Sequence, residues 1–541
     1  MYPPEEARAA GRTRWFREQP LAIQLLVFLP VAALLRVSVA VSDHGMLWPD
    51  EIYQTVEQAH RLAFGYGLRP WEFSEGLRSW ALPGALSLVL RGASALGAHS
   101  GLALMTTVKV VLALLGVASV GAAMLLAWRV AGPTGSLLAG GLGVAFPMLL
   151  VYGTHPFAET VSALLVVFAA VLALGQRRRA GWGAGVLAAL ATVVRPQNGI
   201  VALGILMLLL ARRDRGPARR YLVAAGGVAL AAGLLDWWTW GAPFASFWRY
   251  LRFNVVDGGA VAFGTSPWDY YIRHLVSANG PFVLLAGAGL VVAARRAPWL
   301  VATVASYVLL HSVVGHKELR FVMPIVPLAL GLAGAGLGAV VDAVFGAGAG
   351  PSWDRYGGMR AVWARPAVLA LTAFLAAAFT YSTGRETLGR LGEPRPELSR
   401  DLPWHHVESW NRLLSAVGRQ TSVCGVIVAP LNIVFTGGYS YLHRNVPLWN
   451  SDWEAIRSGA EPPRSANALI VPIDYPVPTG FREAAREGDT HLLVRRGGCD
   501  APPPPNSRVI PPPPAAGVRR SVPSRIPSGG ARSAVRLRSI G

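Results

Sequence analysis

Long apolar runs alternate with short polar ones along most of the chain. Runs at about 20–41, 102–127, 134–152, 157–175, 182–195, 197–211, 220–236, 281–294, 299–315, 321–343 and 366–382 approach the roughly 20 residues that a helix needs to cross a bilayer. The pattern predicts an α-helical polytopic membrane protein with about eleven transmembrane helices; a transmembrane barrel would show short segments of alternating polarity instead. The first run is too long for the apolar core of a signal peptide and reads as an anchor. Runs 182–195 and 197–211 are short and split by Arg195-Pro196. They make two crossings or one re-entrant hairpin lining a cavity, where irregular backbone is tolerated.

The polar stretches differ in kind. In 42–100, Pro49 suits the first turn of a helix, with Asp50 and Glu51 in that turn. Ile52, Val56, Ala59 and Ala63 form an apolar stripe opposite Asp50, Gln54, Glu57 and Arg61. This predicts an amphipathic helix over 49–64, lying in the outer membrane interface. Gly65-Tyr66-Gly67 ends it, and Trp48, Trp71, Phe73 and Trp80 suit headgroup depth. The chain then divides into a membrane domain over 1–382, a region of short apolar runs over 383–500, and a Pro-, Ser- and Arg-rich tail over 501–541. The middle region predicts a small α/β appendage and the tail a disordered segment. Cys424 and Cys499 both lie in the appendage. Outside the cytoplasm they are free to form a disulfide; the alternative is two buried thiols.

Composition agrees: 52% of residues are hydrophobic and 15% charged, against roughly a quarter charged in soluble domains. The net charge of +20 sits mostly in short arginine clusters between apolar runs: Arg8–Arg17, Arg129, Arg177–Arg179, Arg212–Arg220, Arg295–Arg296 and Arg355–Arg365. That is the signature of cytoplasmic loops, not of a nucleic-acid footprint. It places the N-terminus in the cytoplasm, and 42–100, 237–280, the "GHKELR" turn and everything after about 383 outside it. The abundance of Arg, Ala and Gly suggests a GC-rich bacterial genome and hence a bacterial plasma membrane.

Several residues carry candidate chemistry. Asp50 or Glu51 could take a proton from a bound hydroxyl, as a general base within hydrogen-bond reach; the alternative is helix-start electrostatics. A lipid-phosphate leaving group needs a nearby cation, and "HKELR" offers His316, Lys317 and Arg320; the alternative is snorkelling anchors. Lys317 and Lys109 are the only lysines, which suggests a compact ammonium is wanted at 317. Arg78 is a further phosphate contact or a partner for Glu72 or Glu75. Glu159, Arg195 and Asp236 could line the same cavity, since charge within apolar segments is costly without one. "TGGYSYLHRNVPLW" (436–449) offers Tyr439, Tyr441, His443 and Arg444 to a sugar, or to the appendage core. The first loop has no Asp-x-Asp motif and the chain no His/Cys cluster at zinc spacing, so no metal and no cofactor is expected.

"PDEIYQTVEQAHRLAFGYGLRPWEF" resembles the first outer loop of the α-mannosyltransferases of glycosyltransferase family 22, which are multispanning GT-C enzymes. "HPFAETVS" (155–162), "VVRPQNG" (193–199), the long stretch from "DWWTWGAPF" to "SPWDYYI" and "GHKELRFVMPIVP" are similar to later motifs of that family, in order. The likeness spans about 20–345 and weakens towards 500. Family members commonly carry His where this chain has Trp48. The resemblance implies an inverting transfer of a sugar, usually mannose, from a polyprenyl-phosphate donor to a lipid-linked glycan outside the cytoplasm. Asp50 would be general base, with Glu51 in reserve. The alternatives are a GT-C transferase using arabinose or glucose on an envelope glycolipid, and a membrane transporter.

Overall fold

A computed structural model of the protein describes residues 5–175, 179–345, 369–371, 373–377, 404–451, 453–504 and 507–511. Helices dominate up to residue 345. They run α1 (Glu5–Ser42), α2 (residues 49–64), α3 (Ala81–Ala95), α4 (Gly101–Ala145), α5 (Pro147–Tyr152), α6 (Ala158–Ala173), α7 (Ala180–Val194), α8 (Gly199–Leu210), α9 (Gly216–Trp240), α10 (Ala245–Leu251), α11 (Tyr270–Asn279), α12 (Pro281–Ala293), α13 (Pro298–Val313) and α14 (Val326–Phe345). Each predicted apolar run through 343 coincides with helix. Of the last, 366–382, residues 369–371 and 373–377 are described and are helical.

Among the described residues, four helices are long and apolar enough to cross a membrane: Leu21–Ser42, Gly101–Ala145, Gly216–Trp240 and Leu319–Val344. The pair α11 and α12, bent by 120°, makes a fifth if it is one span. The remaining predicted crossings are apolar helices of 10–17 residues. The 45-residue α4 is not straight. Gly132 has φ 76°, a conformation natural only to glycine, and Pro133 starts the second limb. Gly143 then lies against Val120, a contact that a straight helix would keep more than 30 Å apart at about 1.5 Å per residue. Thus α4 is a hairpin, matching the two predicted runs. Its limbs hold α1 on one side and α14 on another, and α14 approaches α12 so closely that a Cβ at Gly336 would collide with the Gly289 carbonyl.

The first loop departs from expectation. α2 is helical over 49–64 through a π-turn at Ile52–Val56, but protein encloses it, so it does not present its faces to lipid and headgroups. Residues 51–60 are all buried. Ile52, Tyr53, Val56 and Ala59 share one core with Leu104, Met105 and Val108 of α4 and with Trp410, Leu414, Tyr439 and Tyr441 from the far end of the chain. Its polar face is covered too. Glu57 accepts from the backbone of Leu68, Tyr439 and Ser440 and from the Ser440 hydroxyl. An amphipathic pattern marks a polar face but not what will satisfy it, and here protein does so rather than headgroups. Phe73 is likewise fully buried, against Trp80 and Trp240.

The covering unit contains α15 (Trp404–Gly418), α16 (Gly438–Leu442) and strands β1 (Val426–Val428), β2 (Leu448–Asn450), β3 (Ala468–Pro472), β4 (Phe481–Glu487) and β5 (Thr490–Arg495). The sheet order is β2-β1-β3-β5-β4, parallel among the first three strands and antiparallel thereafter. Alternation decides its faces. Val426, Val428, Ala468, Ile470 and Leu492 join the α2 core, while Ile427, Leu469, Val471 and Leu493 pack with Tyr475 and Phe481 on the other side. Cys424 and Cys499 are joined in a disulfide, with Cα atoms 5.9 Å apart. Most of the tail lies outside the described residues, but Val509–Ile510 pairs in parallel with Arg69–Pro70 of the first loop, where disorder was expected.

Candidate active site

Asp50 and Glu51 follow each other in the first turn of α2 and point to different places. Glu51 turns inward. One carboxylate oxygen receives the backbone N–H groups of Leu47 and Trp48, closing the helix start as a capping Glu does. The other meets His155 Nδ1 at 2.6 Å. His155 Nε2 stands 3.4 Å from Asp43, whose other oxygen is 3.9 Å from Lys109 Nζ; Lys109 also donates to the carbonyls of Asp43 and Gly45. Burial alone would lower the His155 imidazole, but the Glu51 carboxylate, with help from Asp43, raises it above its ordinary value. All four side chains are sealed from solvent, so in this arrangement Glu51 is out of reach of a substrate hydroxyl. It braces the loop.

Asp50 turns outward. Its side chain is 27% exposed, and it accepts from Arg320 Nη2 at 2.5 Å. Arg320 lies in the 3-10 turn Leu319–Ile325, between the rings of Phe157 and Phe321. It also donates to Glu318 at 2.5 Å and stands 3.6 Å from Glu159. Glu159 is in the first turn of α6 and pairs in turn with Arg195. Arg195 reaches it because Pro196 forces the preceding residue out of helical backbone, here to φ −144°. Three expected residues thus join one charge network with Asp50: Arg320 directly, Glu159 through Arg320 and Arg195 through Glu159.

Glu318 was missed, although it sits inside the quoted motif. It is the extended residue that enters the 3-10 turn carrying Arg320, and its carboxylate accepts from Arg320 Nε at 2.5 Å. Burial alone would raise its carboxyl, but Arg320 and His316 hold it at about 2. His316 Nε2 meets Glu318 at 2.9 Å and Nδ1 meets the Gly264 carbonyl at 3.1 Å. It therefore orients Glu318 and is one residue removed from Asp50's partner.

Other expected residues have different duties. Lys317 is 2% exposed, and its ammonium is spent on the carbonyls of Ser266, Val314 and Gly315. It ties two loops together, and is lowered by burial; it is not a phosphate ligand in this arrangement. Its rarity in the chain misled, because rarity carries no geometry. Asp236 accepts from the backbone and hydroxyl of Ser246, fixing the start of α10 rather than lining the site. Arg78 has Glu72 as its partner, at 2.9 Å. Trp48 joins the apolar wall of Tyr152, Phe157 and Leu319. Tyr439 and Tyr441 are fully buried core, and His443 contacts His60. Among the described residues, no group of three or more His, Cys, Asp or Glu side chains is placed to hold a metal ion.

These features define a multi-pass helical membrane protein with an arginine–carboxylate site assembled at its helix joints. The same fold occurs in ArnT from Cupriavidus metallidurans bound to undecaprenyl phosphate, at a TM-score of 0.57 and 15% identity over 88% of this chain and 99% of that one. It occurs also in the apo oligosaccharyltransferase of Archaeoglobus fulgidus, at 0.50 and 13% over 85% and 70%. Residues 26–388 match the Alg9-like mannosyltransferase family, and the chain belongs to it. Its relatives include GPI mannosyltransferase 3 of Yarrowia lipolytica, 28% identical over 310 residues (56% of this chain, 60% of that protein). GPI alpha-1,2-mannosyltransferase 3 of Danio rerio is 26% identical over 322 residues (58% and 59%). The chain spans about three-fifths of the length of these relatives.

Proposed function

We propose that the protein is an inverting mannosyltransferase. It moves mannose from a polyprenyl-phosphate donor to a lipid-linked glycan at the extracytoplasmic face of a bacterial plasma membrane. Family membership and the names of the relatives support the sugar. The fold shared with a protein bound to undecaprenyl phosphate supports the donor. Arginine clusters between the apolar runs support the face, with the N-terminus in the cytoplasm and the C-terminus outside. The Arg-, Ala- and Gly-rich composition supports the bacterial setting.

The observation that carries the chemistry is the Asp50–Arg320 pair. An acceptor hydroxyl attacks the anomeric carbon from the side opposite the phosphate. The new carbon–oxygen bond forms as the carbon–oxygen bond to phosphate breaks, and the hydroxyl proton passes to Asp50. The leaving phosphate takes the electron pair and gains a negative charge. Asp50 loses one at the same time. Arg320, bonded to Asp50 and braced by Glu318 and Glu159, is placed to follow that charge to the phosphate. Arg195 adds a second guanidinium. Both needs, a base and a cation, are met within one hydrogen-bonded unit.

The test uses membranes containing the full chain, supplied with polyprenyl-phosphate carrying radiolabelled mannose. Wild type is expected to label a new lipid product. Asp50→Asn is expected to lower that rate by about 10²–10⁴-fold at equal insertion. Undiminished transfer by Asp50→Asn overturns the base; label that never leaves the donor in wild type overturns the transfer.

A further inference from the structure

Proton and phosphate handling use one arc of the polar groups around Asp50, namely Arg320, Glu159 and Arg195. A second arc closes the ring and is built differently. From Arg195 the chain passes through Pro196 to Gln197, whose Nε2 donates to the Tyr250 hydroxyl at 2.8 Å. The Arg78 guanidinium lies 5.3 Å from the centre of the Tyr250 ring and donates to Glu72 at 2.9 Å. Glu72 Oε1 also accepts from Gln54 at 2.8 Å, and Gln54 is one helical turn beyond Asp50. Gln54 and Asp50 are four residues apart on α2 and so lie on one face of it, which brings the arc to the Asp50 side of the helix.

This arc suits hydroxyls and not phosphate. Arg78 is already neutralised by Glu72, and that carboxylate would repel an anion. Donors and acceptors alternate along it, as a polyol requires, because each hydroxyl both gives and takes a hydrogen bond. Two polar atoms of the arc, the donor Arg78 Nε and the acceptor Gln197 Oε1, are buried and meet no hydrogen-bond partner among the described residues. Buried groups of this kind are costly unless something pairs with them.

We propose that Gln54, Glu72, Arg78, Tyr250 and Gln197 form the acceptor-sugar subsite, binding a neutral hexose through adjacent hydroxyls so that another of its hydroxyls reaches Asp50. The proposal rests on the transferase reading and deepens it: the acceptor's terminal unit is an uncharged sugar, and Arg78 belongs to acceptor recognition. A single missing hydroxyl should be felt strongly, because a site built to hydrogen-bond it is left unpaired.

The experiment uses the purified full chain in detergent, polyprenyl-phosphate mannose as donor, and octyl α-mannoside and its monodeoxy analogues as acceptor probes. Glu72→Gln would strand Arg78, so the milder Gln197→Ala and Tyr250→Phe are used. Each is expected to raise the KM for octyl mannoside about tenfold, the equivalent of one hydrogen bond, and to leave the donor KM unchanged. Each should also lose the wild-type preference for the mannoside over one deoxy form. A shift in donor KM alone, or retained discrimination against every deoxy form, overturns the subsite. Calorimetric binding of octyl mannoside without donor separates this from the transferase reading. Binding that Gln197→Ala weakens supports the subsite even where wild type transfers nothing, and binding that both variants leave intact overturns it even where transfer proceeds.

Discussion

Asp50 and Glu51 differ by one methylene and one position, yet they anchor two clusters of buried charge with opposite characters. Around Glu51 every partner is committed. The carboxylate closes a helix start and grips His155, with Asp43 and Lys109 behind it, and side-chain exposure is 3% or less throughout. Around Asp50 one guanidinium is shared among three carboxylates, and Asp50 itself is the most open member, at 27% against 4% for Arg320 and 2% for Glu159. A helix turns about 100° per residue, so neighbours in one turn can serve unrelated surroundings. A sealed cluster holds a loop in place; a shared and partly open one can give up a partner to a substrate.

The largest expected break in this comparison comes from treating the two acids alike. Glu51→Gln removes the charge opposite His155 in a sealed site. It should lose about 3–5 kcal/mol of stability, the usual cost of stranding one side of a buried pair. Asp50→Asn leaves Arg320 with Glu318 and Glu159 and should lose about 1 kcal/mol or less, since the pair is part-exposed. Thermal unfolding in one detergent measures both. Equal losses would erase the division between structural and reactive cluster.

A smaller effect is expected where α2 meets the C-terminal unit. Glu57 accepts four hydrogen bonds, from Leu68, Tyr439 and twice from Ser440. An amide has one oxygen to offer and turns its N–H groups onto other donors. Glu57→Gln should therefore cost about 1–3 kcal/mol, read as faster hydrogen exchange over 57–68 and 438–442. If exchange quickens instead around Arg320 and leaves 438–442 protected, Glu57 belongs with the site and not with the brace.

The helices were readable because apolar run length and helix length follow from the same bilayer constraint. Even the α4 hairpin was foreshadowed by Gly132-Pro133. The Asp50–Arg320 partnership joins segments 270 positions apart, and only the two motifs taken together hinted at it. What failed did so for particular reasons. The polar face of α2 read as membrane-facing because Ser440, 383 positions away, left no local trace. Lys317 was judged by scarcity, and Asp236 by its place at the end of a run, although Ser246 ten residues on was waiting to be bound. Glu318 carries a weaker signal, a carboxylate two residues from an arginine inside the same motif, which does not fix their geometry because the backbone turns into a 3-10 helix between them. Arg78 had the right alternative, since Glu72 is a near neighbour.

The smallest effect separates the clusters by pH. His155 is raised above its ordinary 6.5 in the folded protein. Its contribution to stability is therefore complete below pH 6.5 and is lost as pH climbs through the raised value. Each unit of the rise is worth about 1.4 kcal/mol. Glu318 runs the other way. Held at about 2, below an ordinary 4.5, it contributes fully above pH 4.5 and fails only as pH falls through about 2. His44 at about 4 and His60 at about 3 are already neutral above pH 6. Above pH 6.5, then, as pH climbs through the raised His155 value, the Glu51 cluster should weaken while Glu318 keeps its full contribution to the Asp50 cluster. The melting temperature of wild type should fall over that climb, and His155→Asn, whatever its own starting stability, should flatten the slope. A slope that survives the substitution would mean that the charge on His155 does not hold the first loop, and that Glu51 is fixed by its two backbone N–H groups alone.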